Sequence, residues 1–324
     1  MENVLILSAG RRVELVECFQ RAARRLGVDS RIVAADCSDT APALYFADRK
    51  RLLPRISDPR YIDEVIRICN EERIALIVPT IDTDLRPLAR NKALIENETG
   101  ARLLVSDESV IAICRDKIQT QTFLERHGFG VPRMHALEEA RRGDAGFPLF
   151  IKPKSGSSSV NAHQVNDAAQ LELYAGLIAD PIIQDFMEGE EYTVDVFLDF
   201  ESRVITVVPR LRLATRSGEI AKGRIVKDRD IIEDVKSLMD VLKPIGHITV
   251  QLMKTDKGIQ YIEINPRFGG GAPMSIQCGA DSCEHLYRLL QGETLAYTEA
   301  YRSELTFLRF DGSICLDERM EVVR

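Results

Sequence analysis

The 324-residue sequence contains no run of about 18 apolar residues, the length a membrane-spanning helix needs. Its opening stretch, Met1-Glu2-Asn3-Val4-Leu5-Ile6-Leu7, has no basic lead and no cleavage site. It reads as a first strand rather than a signal peptide. Positive charge is not in excess: 43 Lys and Arg face 50 Asp and Glu, a net charge of -7. That argues against broad nucleic-acid binding through phosphate neutralisation, but leaves room for a local basic pocket. The seven cysteines form no Cys-x-x-Cys pair and are odd in number, so reduced thiols in a cytoplasmic protein are the simplest account. Cys278, Cys283 and His285 cluster in sequence, at a spacing that fits no common zinc pattern. The G-x-G-x-x-G run of dinucleotide-binding folds is absent, and so is the G-x-x-x-x-G-K-[ST] of P-loop ATPases. The five histidines are scattered, and no Ser-His-Asp or Cys-His arrangement asks for covalent catalysis.

What is present is an ordinary globular composition, 45% hydrophobic, in a chain long enough for two or three domains. The first hundred residues alternate strand and helix signals. Val4–Leu7, Arg31–Ala35, Ile74–Val78 and Leu103–Val105 read as strands. Arg12–Leu26, a segment from Asp58 to about Arg73, and Asp84–Glu98 read as helices. This rhythm predicts an α/β domain with a parallel sheet wound by helices on both faces. After about Ser106 the pattern changes to α+β with mostly antiparallel strands. The predicted elements include strands at Leu149–Lys152 and Pro181–Phe186, a pair at Tyr192–Leu198 and Val204–Leu213, a helix at Asp230–Leu242, and a hairpin of Ile248–Met253 with Ile259–Ile264.

The most informative segment is Tyr261-Ile262-Glu263-Ile264-Asn265-Pro266-Arg267-Phe268-Gly269-Gly270-Gly271, with Gln251 ahead of it. Alternate residues of a strand share a face about 6.5–7 Å apart. With Ile262 and Ile264 toward a core, Glu263 and Asn265 are expected to point together into a cleft. Pro266 stops the ladder and Arg267 projects from its end. A carboxylate, an amide oxygen and a guanidinium at one edge suit oxygen-ligated magnesium on a polyphosphate.

Other segments carry two readings each. Gly10-Arg11-Arg12 after the first strand is a tight turn or an anion contact. Asp82, past the strand ending at Val78, is a helix cap or a ligand at the carboxyl edge of the sheet. Lys154–Ser159 is a polar linker or a phosphate cradle behind Lys152. Gln184–Tyr192 is an acidic surface turn or a strand exit that receives a purine. Between Arg210 and Arg229 seven positive residues face two negative ones, either a solvated strand face or a field for an anionic substrate.

Taken together, these segments resemble the ATP-grasp superfamily, most closely the ATP-grasp units of the carbamoyl-phosphate synthase large chain. The resemblance rests on the order Lys117, Lys152, the Ser/Gly loop, Gln184–Tyr192, Gln251 and Glu263-x-Asn265-Pro266-Arg267. It implies an N-terminal wound parallel sheet, the pre-ATP-grasp domain, at 1–112, then a small lobe at 113–186 and a large lobe at 187–324. It implies ATP and Mg2+ as cofactors, two ions, with Mn2+ as an alternative. Lys117, Lys152, Ser157 and Ser158 would meet the phosphates, Gln184, Asp185 and Met187 the adenine, and Glu191 the ribose. Gln251, Glu263 and Asn265 would be the metal ligands. Arg267, Glu263 and Asn265 would form the catalytic group. Arg11, Arg12, Asp82, Arg212, Arg216 and Lys222 are the candidates for substrate contact. Gln184 departs from the glutamate common at that hinge, and Gln251 is a feature shared with the synthase type. The implied activity is an ADP-forming carboxylate–amine ligase acting on small molecules, as a homodimer or beside a partner subunit. Rival readings are one subunit of a split carbamoyl-phosphate synthase, since only one grasp unit is present, and an ATP-binding module without chemistry.

Overall fold

The computed structural model describes residues 1–154, 161–216 and 218–323. Its first unit follows the predicted alternation. Strands β1 (Asn3–Leu7), β2 (Ile32–Asp36), β3 (Arg49–Leu52), β4 (Ile74–Pro79) and β5 (Arg102–Leu103) form a parallel sheet in the order β3-β2-β1-β4-β5. Helices α1 (Val13–Leu26), α2 (Tyr61–Glu72), α3 (Asp82–Arg90) and α4 (Lys92–Thr99) connect them. Strand β1 shows why both faces are covered: Val4 and Ile6 enter one buried cluster, Leu5 and Leu7 the other. Helix α1 stops at Gly27, whose φ of 66° few other residues adopt without strain.

The sequence pattern runs as one helix from Asp84 to Glu98, but the chain makes two. Pro87 lies inside α3, and the helix ends at Asn91, whose backbone N–H reaches the carbonyls of both Pro87 and Leu88. Strand β3 was not expected, because Arg-Lys-Arg-Leu has no apolar alternation. It is an edge strand held by backbone pairing to β2.

Helices α5 (Glu108–Arg115) and α6 (Lys117–Arg126) lead into a small lobe. There β6 (Met134–His135), β7 (Leu149–Pro153), β8 (His163–Val165) and β9 (Pro181–Asp185) form a sheet ordered β6-β9-β7-β8, with α7 (Leu137–Arg141) and α8 (Ala168–Leu177) beside it. The large lobe is built on β10 (Glu190–Leu198), β11 (Val204–Arg216), β12 (Glu219–Ile225), β13 (Gly246–Thr255) and β14 (Gly258–Asn265). Helix α9 (Arg229–Leu242) lies between β12 and β13 in sequence, and α10 (Ala272–Gln277), α11 (Ser282–Leu290) and β15 (Thr306–Leu308) follow. The six-stranded sheet runs β14-β13-β10-β11-β12-β15 and its pairs are antiparallel.

Alternation along β10 divides the large sheet. Tyr192, Val194, Val196 and Leu198 pack with Ile231, Val235 and Leu238 of α9. Thr193, Asp195 and Phe197 face the other way, where Phe197 and Phe268 join the core cluster of α1. The first domain and the large lobe therefore share one continuous apolar core. Among the described residues no helix is long and apolar enough to cross a membrane.

Candidate active site

Strand register brings the candidate metal residues together. Gln251 on β13 lies directly opposite Glu263 on β14, and Thr249 opposite Asn265. Across the other edge of β13, Gln251 pairs with Thr193, which pairs in turn with Arg210. Directly opposed residues sit about 4.5–5.5 Å apart at Cβ. The row Arg210, Thr193, Gln251, Glu263 is thus a continuous polar line across four strands.

One expectation about this edge needs correction. Ile262 does not face the core with Ile264. The β13–β14 register shifts between Gln251 and Leu252, so Gln251 pairs with Glu263 while Leu252 pairs with Tyr261. Ile262 is the extra residue of a β-bulge, which places two successive side chains toward one side. Tyr261 and Ile264 are buried in the core, while Ile262 and Glu263 both line a cavity.

That cavity, of about 330 Å3, lies between the two lobes. Lys117, Lys152, Gln184, Met187, Glu191 and Glu263 are among its walls. Lys117 is the first residue of α6, a helix that Asp116 caps by accepting from the N–H groups of Ile118 and Gln119 at 2.8 and 3.1 Å. Its ammonium donates to the carbonyl of Pro153 at 2.7 Å. Burial pushes the Lys152 ammonium down to about 8, nearby Lys117 adds to that, and Glu263 opposes it. Burial also lowers Lys117. Gln184 is buried within the small sheet. Asp185 holds the ring of His135 at 2.7 Å, and its backbone N–H donates to Arg133. Beyond Asp185 the chain leaves the ladder, so Phe186 and Met187 line the cavity without strand partners. Glu191 is paired with Arg212 at 3.0 Å. Ser157 and Ser158 lie outside the described residues.

A second cavity, of about 460 Å3, opens on the other side of Gln251 and Glu263 and reaches the N-terminal domain. It brings together Arg12, Asp82, Arg212, Asn265 and Arg267 from the sequence reading, and adds Arg115 and Arg210. Asp82, in the first turn of α3, accepts from Arg267 at 2.6 Å. Arg267 also donates to the side-chain oxygen of Asn265 at 3.2 Å. Arg12 pairs with Glu219 at 3.2 Å. Arg210 is almost fully buried and holds Asp195 at 2.9 Å, while Asp195 also accepts from Ser275. Desolvation opposes the Asp195 charge, yet Arg210 and His247 hold its carboxyl down at about 2.

The three glycines after Arg267 make these approaches possible. A Cβ on Gly271 would stand 1.9 Å from an Arg210 nitrogen, one on Gly270 2.6 Å from Arg12, and one on Gly269 2.7 Å from the Thr249 hydroxyl.

Three candidates fall outside both cavities. Arg11 is exposed. Arg216 lies at the end of β11 and pairs with Asp311 on the surface at 2.8 Å. Lys222 is exposed because alternation at the end of β12 turns Gly223 and Ile225 inward and Lys222 and Arg224 out. Arg115 is not among the residues the sequence offers for substrate contact, and Arg210 enters there only as the first member of a basic run. The basic run from Arg210 was visible, but which of its members face a cavity depends on register.

The edge offers an ion one carboxylate and two amide oxygens. Among the described residues no group of three His, Cys, Asp or Glu side chains converges on a metal position. That donor set does not form an all-protein cage, but it suits a hard cation that keeps water and phosphate oxygens as ligands, as Mg2+ does.

A family model for PylC-like N-terminal domains matches residues 4–103, and one for the ATP-grasp domain matches residues 114–271. Over 147 residues the chain is 30% identical to a D-alanine–D-alanine ligase of Fusobacterium nucleatum, covering 45% of this chain and 48% of the ligase. It is 24% identical to the 3-methyl-D-ornithine–L-lysine ligase of Methanosarcina barkeri, over 73% of this chain and 63% of that one. The chain therefore spans less than two thirds of either ligase. A carbamoyl-phosphate synthase of Methanobrevibacter smithii is 20% identical over 72% of this chain and 69% of its own length. Among solved structures, biotin carboxylase from Campylobacter jejuni superposes with a TM-score of 0.73 at 14% identity, covering 94% of this chain and 74% of the other. That likeness concerns the fold.

Proposed function

Because the chain joins a PylC-like N-terminal domain to an ATP-grasp domain, we propose that it is an ATP- and magnesium-dependent, ADP-forming ligase of the cytoplasm that couples a small carboxylic acid to an amine. The observation that carries this reading is the placement of Gln251 and Glu263 in the wall shared by two cavities. One cavity has lysines and a strand exit suited to a nucleotide. The other has guanidiniums suited to an acid.

In this reading the nucleotide lies in the cavity between the lobes, with its phosphates toward Lys117 and Lys152. Gln251, Glu263 and Asn265 would hold magnesium, which when bound neutralises phosphate charge and orients the reacting oxygens. The acid enters from the side of the N-terminal domain. A carboxylate oxygen attacks the terminal phosphorus, its bond to ADP breaks, and an acyl phosphate forms. The amine then attacks the carbonyl carbon, phosphate leaves, and the nitrogen loses a proton. The obstacle is the meeting of two anions: unit charges 4 Å apart repel by about 4 kcal/mol at an effective dielectric of about 20. Arg267, at the junction, offsets that repulsion where charge develops.

The test is Glu263→Gln. ADP release stimulated by a carboxylic acid should fall at least a hundredfold, with the thermal unfolding transition retained. Near-normal stimulated turnover by that variant would remove the assignment. The similarity to a D-alanine–D-alanine ligase and to a 3-methyl-D-ornithine–L-lysine ligase supports ligase chemistry.

A further inference from the structure

The first turn of α3 carries two carboxylates, Asp82 and Asp84, that serve different neighbours. Residues two apart on a helix point about 200° apart and do not face each other. Asp82 reaches the large lobe, where it accepts from Arg267 at 2.6 Å. Asp84 turns into the N-terminal domain, where its Oδ2 accepts from the Ser8 hydroxyl at 2.6 Å. Asp84 is 1% exposed, and neither it nor Ser8 lines either cavity. Ser8 follows β1 with a φ of 49°, a left-handed conformation that serine adopts only at a cost. Such a conformation persists where surrounding contacts over-determine it.

Here those contacts come from three elements. Thr80, just past β4, is fully buried, and its hydroxyl donates to the Ser8 carbonyl at 2.7 Å. Asp36, at the end of β2, accepts from the Gly10 N–H at 2.8 Å. Asp84 of α3 holds the Ser8 side chain itself. The same turn closes where the Arg12 N–H donates to the Ala9 carbonyl at 2.8 Å, and Arg12 then crosses to Glu219 at 3.2 Å. The Ser8–Asp84 hydrogen bond thus joins two turns of the N-terminal domain, and each sends a charged side chain across to the large lobe.

We propose that Ser8 and Asp84 are positioning residues for Arg267: their hydrogen bond fixes the first turn of α3 and, through it, the Asp82 carboxylate that holds the Arg267 guanidinium. In its effect on turnover this rests on the ligase reading, and it extends the active centre to two residues outside both cavities. The link is sensitive to protons. Burial pushes the Asp84 carboxyl up to about 6, against the Ser8 hydroxyl and with help from Asp36 and Asp82. Tyr61, at the start of α2, lies beside it as well. A hydrogen bond to the ionised carboxylate is the stronger one, so the link weakens as pH falls through about 6.

The Arg267 Nε–H resonance of the 15N-labelled full chain is the direct readout, assigned by its loss in Arg267→Lys. Ser8→Gly keeps access to the left-handed backbone and deletes the hydroxyl. It should move that resonance by more than a linewidth, in the direction that Asp82→Asn moves it. In the unaltered protein the resonance should titrate with a midpoint near pH 6, and in Asp84→Asn, which keeps an acceptor for Ser8, it should not. Circular dichroism checks the unfolding transition of each variant. A resonance unmoved in folded Ser8→Gly, or the same titration in Asp84→Asn, would overturn the proposal. ADP release from ATP, stimulated by a mixture of the common amino acids, should fall about tenfold in Ser8→Gly with KM for ATP within about twofold. A shifted resonance with unchanged turnover would also overturn it. No stimulated release by the unaltered protein counts against the ligase reading, while the resonance still decides whether Ser8 and Asp84 hold Arg267.

Discussion

Lys152 shows how one half-buried side chain ties folding to ligand binding. Its ammonium sits at about 8, below the ordinary lysine value, because burial disfavours the charge. The folded state releases this proton at lower pH than the unfolded chain does. Between about pH 8 and the ordinary lysine range the unfolded state therefore binds more protons, and this group's contribution to stability rises with pH. Nucleotide binding should respond in the opposite sense, since the phosphates want the charged form. ATP affinity is expected to be flat below about pH 8 and to fall above it, approaching tenfold per unit. Equilibrium dialysis across pH 7–10 measures this, and Lys152→Ala should be weaker at pH 7 and lose the dependence. A pH profile identical in the variant would show that another group titrates. Glu263→Gln belongs to the same scale, as a change of one carboxylate oxygen at the shared wall.

Individual elements depend on details finer than their hydrophobic pattern. The bulge in β14 turns Ile262 out of the core and sets Glu263 opposite Gln251. The glycine turn after it is tight enough that Gly271→Ala would drive a methyl group into the Arg210–Asp195 pair. Overpacking and disturbance of a buried ion pair should cost about 2–4 kcal/mol. Urea denaturation should show a lower midpoint with unchanged slope. A variant as stable as the parent would mean that Arg210 moves aside at little cost. Most elements were legible beforehand because their apolar residues recur at helix or strand periods. Strand β3 escaped notice because edge pairing needs no apolar pattern. The Asp84–Glu98 pattern splits because Pro87 and Asn91 interrupt hydrogen bonding that periodicity does not report.

At the scale of the whole molecule, the N-terminal domain supplies part of the wall of the second cavity. Asp82–Arg267 and Arg12–Glu219 both cross from that domain to the large lobe, within one cavity wall. Asp82→Asn leaves Arg267 without its charged partner and should lower turnover about tenfold or more, while ATP affinity stays within twofold. Combined with Arg267→Lys in a double-mutant cycle, the two changes should be non-additive by about 1–3 kcal/mol. Additive effects would mean that Asp82 does not act through Arg267.

The sequence by itself determined most of the order of elements, the division between a wound parallel sheet and later antiparallel lobes, and the strand bearing Glu263 and Asn265 with Arg267 just past its end. These follow from local periodicity and turn chemistry, which act over a few residues. Tertiary structure decided which charges meet. Arg212 faces a cavity while Arg216 and Lys222 face outward, and Asp82 closes on a guanidinium 185 residues away. Strand register, one bulge and the docking of two domains make those choices, and none of them leaves a mark in the spacing of residues along the chain.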